Sequence, residues 1–151
     1  MPHSYTRIWI HAIWATKNRE LLISDKLEKQ LFPFMKQQFK ELGCPILRIN
    51  GMPDHVHCLF LLDPKKAISD IIKQVKGSSS HFVNSQNLIV EKFSWQRGYG
   101  AFGVSESIKE RVVRYIDNQK EHHRKKSFQQ EYEGFLKLNG FVVDNQSDLY
   151  V

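Results

Sequence analysis

Residues 45–62 read PILRINGMPDHVHCLFLL. Two short apolar runs, Pro45 to Asn50 and His55 to Leu62, flank Gly51, Met52, Pro53 and Asp54, residues of the kind that reverse a chain. The spacing predicts a β-hairpin. Strand side chains alternate between faces, so His55 and His57 project from the same one. With Asn50 set opposite His55 and Arg48 opposite His57, one face carries Arg48, Asn50, His55 and His57, and the other carries Leu47, Ile49, Val56, Phe60 and Leu62. This register puts a polar site on one side and a core on the other.

Working outward, Thr6 to Thr16 (TRIWIHAIWAT) is apolar on both alternating faces, as a central strand covered on two sides would be. Asp25 and Glu28 signal a helix start, and Leu27, Leu31, Phe34, Met35, Phe39 and Leu42 recur at helical spacing until Gly43. Pro33 inside that pattern predicts a bend or a late start. After the hairpin, Ile68, Ile71, Ile72, Val75 and Phe82 give a second helix, with Lys73 and Lys76 on its exposed side. Phe93 to Val104 (FSWQRGYGAFGV) suits a short strand opening into a mobile connection. A third, longer helix follows, capped by Ser105 or Ser107, with Ile108, Val112, Tyr115, Ile116 and Gln119 along one side. Phe128, Tyr132, Phe135 and Leu136 predict a last short helix, and residues 144–151 a loose tail. The order is that of an α+β, ferredoxin-like split βαβ fold: an antiparallel sheet with helices on one face and extra C-terminal helices.

A length of 151 residues, 41% hydrophobic, suits one domain spanning residues 1–151. A net charge of +6 leans toward a polyanionic partner without requiring one. No apolar run reaches the roughly 18 to 20 residues of a membrane helix, and Met1 to Arg7 carries no apolar signal core. Cys44 and Cys58 form no CxxC pair and are expected to be free thiols, which points to a reduced, cytoplasmic setting without a membrane partner.

His-x-His on a strand is either a pair of metal ligands or an ordinary structural pair. A histidine-triad nucleotide hydrolase needs a third His at position 59, which is Leu. Cys58 points away from both histidines, which argues against a closed structural zinc site. Tyr115 and Gln119, four apart, share a helix face. Around them stand Lys109, Arg111, Arg114, Lys120, Arg124, Lys125 and Lys126 against Glu110, Asp117 and Glu121, with His122 and His123 following. Such a helix either lies along a phosphate backbone or is a solvated amphipathic helix.

Met-Pro-Asp-His-Val-His at 52–57, the glycine-rich stretch from Trp95 to Ser105 and Tyr115-Ile116-Asp117-Asn118-Gln119 followed by His122-His123 resemble the small single-tyrosine HUH transposases of bacterial insertion sequences, including the relatives associated with repeated extragenic palindromes. The resemblance runs from the Trp-rich first strand to the tyrosine helix. It implies a metal-dependent DNA endonuclease and strand transferase in which His55, His57 and Gln119 hold Mg²⁺ or Mn²⁺ and Tyr115 attacks single-stranded DNA. The product implied is a 5′-phosphotyrosine with a free 3′-hydroxyl, made at element ends that carry hairpins. It further implies a homodimer in which the tyrosine helix of one subunit can complete the other's site, Gly98, Gly100 and Gly103 permitting the swing. Asp54 either orients His55 or only forms the turn, and we favour the turn. Arg48, Arg97, Arg111, Arg114, Lys120, Arg124, Lys125 and Lys126 are the candidate DNA contacts, with His11, Trp14 and Tyr99 beside them. The alternatives are a non-catalytic hairpin-binding descendant of such a transposase and a metal-dependent phosphoesterase that needs no tyrosine.

Overall fold

In the computed structural model, which describes residues 3–122 and 126–142, the first strand β1 (Trp9–Ala15) is buried along its whole length. It pairs antiparallel with β3 (His55–Leu61) on one side and β4 (Gly100–Val104) on the other, and β2 (Ile46–Met52) completes the sheet order β2-β3-β1-β4. Between β1 and β2 lies α1 (Asp25–Glu41), and between β3 and β4 lies α2 (Ile68–Ser85), so the chain has the expected antiparallel split βαβ plan.

Period-two alternation along β1 explains the layering. Ile10, Ala12 and Trp14 face α1 and α2 and share a core with Met35, Phe39, Ile72 and Val75. Trp9, Ile13 and Ala15 face the extra C-terminal helices α3 (Lys109–Asp117) and α5 (Phe128–Leu138), meeting Val113 and Ile116, and Phe128 and Tyr132. Both sides of the central strand are therefore desolvated, which a run of Ile and Trp requires.

Several local expectations need correction. The α1 helix does not start late: Ser24 caps it, its Oγ accepting from the Leu27 amide at 3.1 Å, and it runs through Pro33. Burial of Leu27, Leu31, Met35 and Phe39 on one face outweighs the single backbone donor that proline lacks. The hairpin register is shifted by two residues, with Met52 opposite His55, Asn50 opposite His57 and Arg48 opposite Leu59. Pro53 and Asp54 alone make the turn. A shift of two leaves each residue on its face, so Arg48, Asn50 and the two histidines still share one. An irregularity between Ile46 and Arg48 carries Leu47 to the opposite face, where it packs against Leu59, Val113 and Ile116.

In the Phe93–Val104 stretch the connection comes first and the strand second. Asn84 ties the connection down, accepting from the Phe93 amide at 2.8 Å and donating to its carbonyl at 2.9 Å. Ser105 and Ser107 bond each other rather than capping α3. The long third helix is two pieces, because Asn118 leaves helical geometry (φ −95°, ψ 17°) before α4 (Gln119–His122). Ser127 and Gln130 form a reciprocal capping box at the start of α5. Lys76 is half-buried rather than on the exposed side: its Nζ donates to the Gly98 carbonyl at 2.7 Å and lies 6.0 Å from the Trp14 ring centroid. Cys44 and Cys58 are buried free thiols. No helix among the described residues is long and apolar enough to cross a membrane. The expected tail at 144–151 falls outside the described residues.

Gly77 lies inside α2, where a Cβ would meet nothing within 4 Å, so Gly77→Ala should raise unfolding stability by about 0.5–1 kcal/mol in urea titrations. Gly51→Ala should lower it, because the new Cβ would fall 2.2 Å from the His55 carbonyl oxygen. Burial lowers Lys76 to about 8. The unfolded chain therefore binds more protons between that value and the ordinary lysine range. Stability should accordingly rise with pH across that window, and the increment should be missing in Lys76→Met.

Candidate active site

The sheet face opposite the α1/α2 core carries His11 of β1 and His55 and His57 of β3, all three buried. His55 Nε2 and His57 Nε2 converge on one oxygen, Glu131 Oε1 of α5, at 3.3 and 2.8 Å. The other carboxylate oxygen, Oε2, accepts from the Tyr115 phenol and from Gln119 Nε2 at 3.0 Å. The Gln119 carbonyl oxygen lies 3.3 Å from His55 Nε2. Tyr115, His55, His57 and Gln119 are thus brought together within a single chain.

Local structure explains each placement. Tyr115 and Gln119 meet the site from different helices. Asn50 Nδ2 donates to the Ile116 carbonyl at 2.9 Å, fixing the end of α3 against β2 just before Asn118 breaks the helix. Asp54 forms the turn and also orients its neighbour, since His55 Nδ1 lies 2.7 Å from Asp54 Oδ1. That bond turns His55 Nε2 toward the centre. His57 Nδ1 pairs with His11 Nε2 at 2.8 Å, so His11 is a partner within the site rather than a surface for DNA.

The electrostatics follow from burial. Desolvation works against the charged form of His55, but hydrogen bonds and attraction from Asp54 and Glu131 outweigh it and raise its pKa. His11, buried beside His57 and only partly compensated by Glu131, is held well below the usual histidine value and is neutral. Burial, then the Glu131 carboxylate, pushes the Tyr115 phenol up, so it is protonated at rest.

His55, His57 and Glu131 offer donor atoms within 4.8 Å of one another, and Gln119 adds an amide oxygen beside them. Two imidazole nitrogens with oxygen donors form a ligand set that a divalent cation could occupy. Sequence reasoning did not pick out Glu131. Its signal is a carboxylate set between Phe128, Tyr132 and Phe135 on the apolar stripe of an amphipathic helix, where a charge needs buried partners.

The candidate DNA contacts are dispersed. Arg48 pairs with Asp117 at 3.2 Å, and Lys120 bonds Glu28 and the Gly51 carbonyl. Arg111 and Arg114 are exposed on α3 and Lys126 is exposed just before α5, whereas Arg97 is exposed in a cavity shared with Lys17, Asn18 and Arg19. Arg124 and Lys125 lie outside the described residues. Trp14 is wholly buried and cannot touch DNA, and Tyr99 packs at the margin of the α1/α2 core.

Residues 4–119 match the family model described as "Transposase IS200 like". The chain is 29% identical over 114 residues to the ISDra2 transposase TnpA of Deinococcus radiodurans, a match covering 72% of this chain and 81% of the relative. It is similar to a crystal structure described as a putative transposase from the same organism, with 26% identity and a TM-score of 0.63 over 79% of this chain and 96% of that one. The structure of a REP-associated tyrosine transposase bound to a REP hairpin shares the fold at a TM-score of 0.54 and 14% identity, over 94% of this chain and 74% of that one.

Glu131 satisfies buried groups on three elements at once. Glu131→Ala should cost on the order of 2 kcal/mol in chemical denaturation, well beyond an exposed substitution on the same helix such as Lys137→Ala, because His57, Gln119 and Tyr115 lose a common acceptor.

Proposed function

Since the chain belongs to the IS200-like transposases, a family of DNA-cleaving enzymes, we propose that it cuts and rejoins single-stranded DNA through a covalent 5′-phosphotyrosine at Tyr115. The observation that supports this reading is the convergence of a phenol, two imidazoles and an amide on one buried carboxylate. In this reading the Tyr115 oxygen forms a bond to the scissile phosphorus and the bond to the 3′ oxygen breaks, leaving a 3′-hydroxyl. Attack by another 3′-hydroxyl on the tyrosyl ester reverses the step, so the energy of the phosphodiester is retained and no nucleotide triphosphate is consumed.

His55, His57 and Gln119 would hold Mg²⁺ or Mn²⁺, with Glu131 as a further oxygen donor. A bound divalent ion supplies Lewis-acid polarisation of the phosphate. The chain's own residues do the rest of the positioning. Asp54 orients His55, His11 orients His57, and Asn50 anchors the end of the tyrosine helix. Glu131 takes the hydrogen bond of the phenol and is placed to accept its proton.

The substrate in this reading is a strand with a hairpin near the element end. The REP hairpin in the structure of similar fold supports that choice, as do the exposed cations Arg111, Arg114 and Lys126. A homodimer belongs to the same proposal, although Tyr115 and Gln119 already reach the histidines of their own chain.

A labelled hairpin strand incubated with the protein and Mn²⁺ should give a denaturant-resistant adduct carrying the label 3′ of the cut. Tyr115→Phe and chelator should abolish it, while hairpin binding persists. Cleavage without an adduct, surviving Tyr115→Phe, would identify an activated-water phosphoesterase instead. Hairpin affinity should fall with salt, each neutralised phosphate contributing about 0.7 to the logarithmic slope, and joint replacement of Arg124, Lys125 and Lys126 by Gln should flatten it.

A further inference from the structure

Beside Tyr115 a groove of about 460 Å³ runs between α3 and α5. Its volume lies within the range of roughly 300–1,000 Å³ typical of small-molecule sites. Two cations, Arg111 and Lys126, line it, and neither is ion-paired among the described residues. Its wall is apolar, supplied by Val112, Phe135 and Leu138, and Leu138 is 80% exposed. Phe135 stands edge-on to Tyr115 and His11, with centroids 5.3 and 5.0 Å away. Gly134 opens the middle of the groove, since a Cβ there would meet nothing within 4 Å. The Glu131 carboxylate borders the groove but is engaged by His57, Gln119 and Tyr115.

An aromatic wall, two cations and the phenol match a deoxynucleotide: an apolar surface for a base, and positive charge for a phosphate. We propose that this groove is a nucleotide subsite that takes the residue on the 3′ side of the cut, with its 5′-phosphate beside Tyr115 and its base against Phe135. The choice of side rests on the function proposed above, because the 5′-phosphate of that nucleotide is the one that would become joined to the tyrosine. The groove would then hold the covalently attached strand in place while the freed 3′-hydroxyl departs, and its shape would set a base preference immediately after the cut.

The test uses deoxynucleoside 5′-monophosphates as probes, titrated into the full chain and followed by amide shifts of Arg111, Gly134 and Phe135. Binding should be at least tenfold tighter than for the matching nucleosides or 3′-monophosphates. Gly134→Leu, which fills open space on an exposed helix face, should weaken it at least tenfold, and Arg111→Gln should remove the advantage of the 5′-phosphate. Equal binding of 3′- and 5′-monophosphates would overturn the side assigned, and absence of shifts at these amides, or full retention in Gly134→Leu, would overturn the subsite. None of these readings depends on cleavage. A chain that binds the monophosphates as stated but forms no adduct with hairpin DNA would keep the subsite and refute the phosphotyrosine reading, whereas adduct formation with no monophosphate binding would do the reverse.

Discussion

A carboxylate removed from water is tolerated only where hydrogen bonds and opposite charge replace its hydration. Glu131 is 5% exposed, and its two oxygens take different partners. One meets the histidines of β3, and the other meets Tyr115 of α3 and Gln119 of α4. The last helix, the tyrosine helix and the sheet are thereby joined through two atoms. Phe128 and Tyr132 bring α5 to Ile13 and Ala15 by apolar burial, which sets the approach of the helix but not its rotation. The carboxylate supplies the direction that burial lacks.

The site also depends on the parity of the sheet. His11, His55 and His57 can meet because β1 and β3 pair with His57 opposite Ile13 and Leu59 opposite His11, which leaves His11 and His57 as diagonal neighbours on one face. A one-residue slip of either strand would send imidazoles into the apolar layer beneath α1 and α2 and bring Cys58 or Val56 to the site. The apolar residues that alternate with the histidines, Val56, Cys58 and Phe60, are fully buried in that layer and make such a slip costly. Packing on one face thus holds the chemistry on the other in register.

This explains why so much of the site was legible in the sequence while its detail was not. Alternation fixed the face of His55 and His57, and helical spacing set Tyr115 near Gln119. Both are local rules, and both survive a two-residue error in the hairpin register because faces repeat every two residues. The break at Asn118 was hidden because a helical pattern of apolar residues runs through it, and Asn50 on a distant strand is what anchors the end of α3. Glu131 and the role of His11 were hidden for a related reason. Each acts through a partner far away in sequence, His11 on His57 and Glu131 on both histidines, and composition carries no record of such contacts. Asp54 is the turn residue its position in the sequence implies, but its side chain reaches the adjacent imidazole as well.

The same sharing has a consequence for reactivity. A phenol has an ordinary pKa of about 10, and burial beside an anion moves Tyr115 further from the ionised form. At rest the phenol is therefore protonated and engaged by Glu131 rather than present as a phenolate. Positive charge entering between the histidines would draw on the same carboxylate, weakening its hold on the proton of Tyr115 and lowering the cost of the phenolate. Gln119 reinforces the link, since its amide nitrogen binds the carboxylate while its oxygen faces His55. In the proposed reaction, ionisation of Tyr115 and charge at the histidines would therefore be coupled through Glu131, the one side chain that touches both.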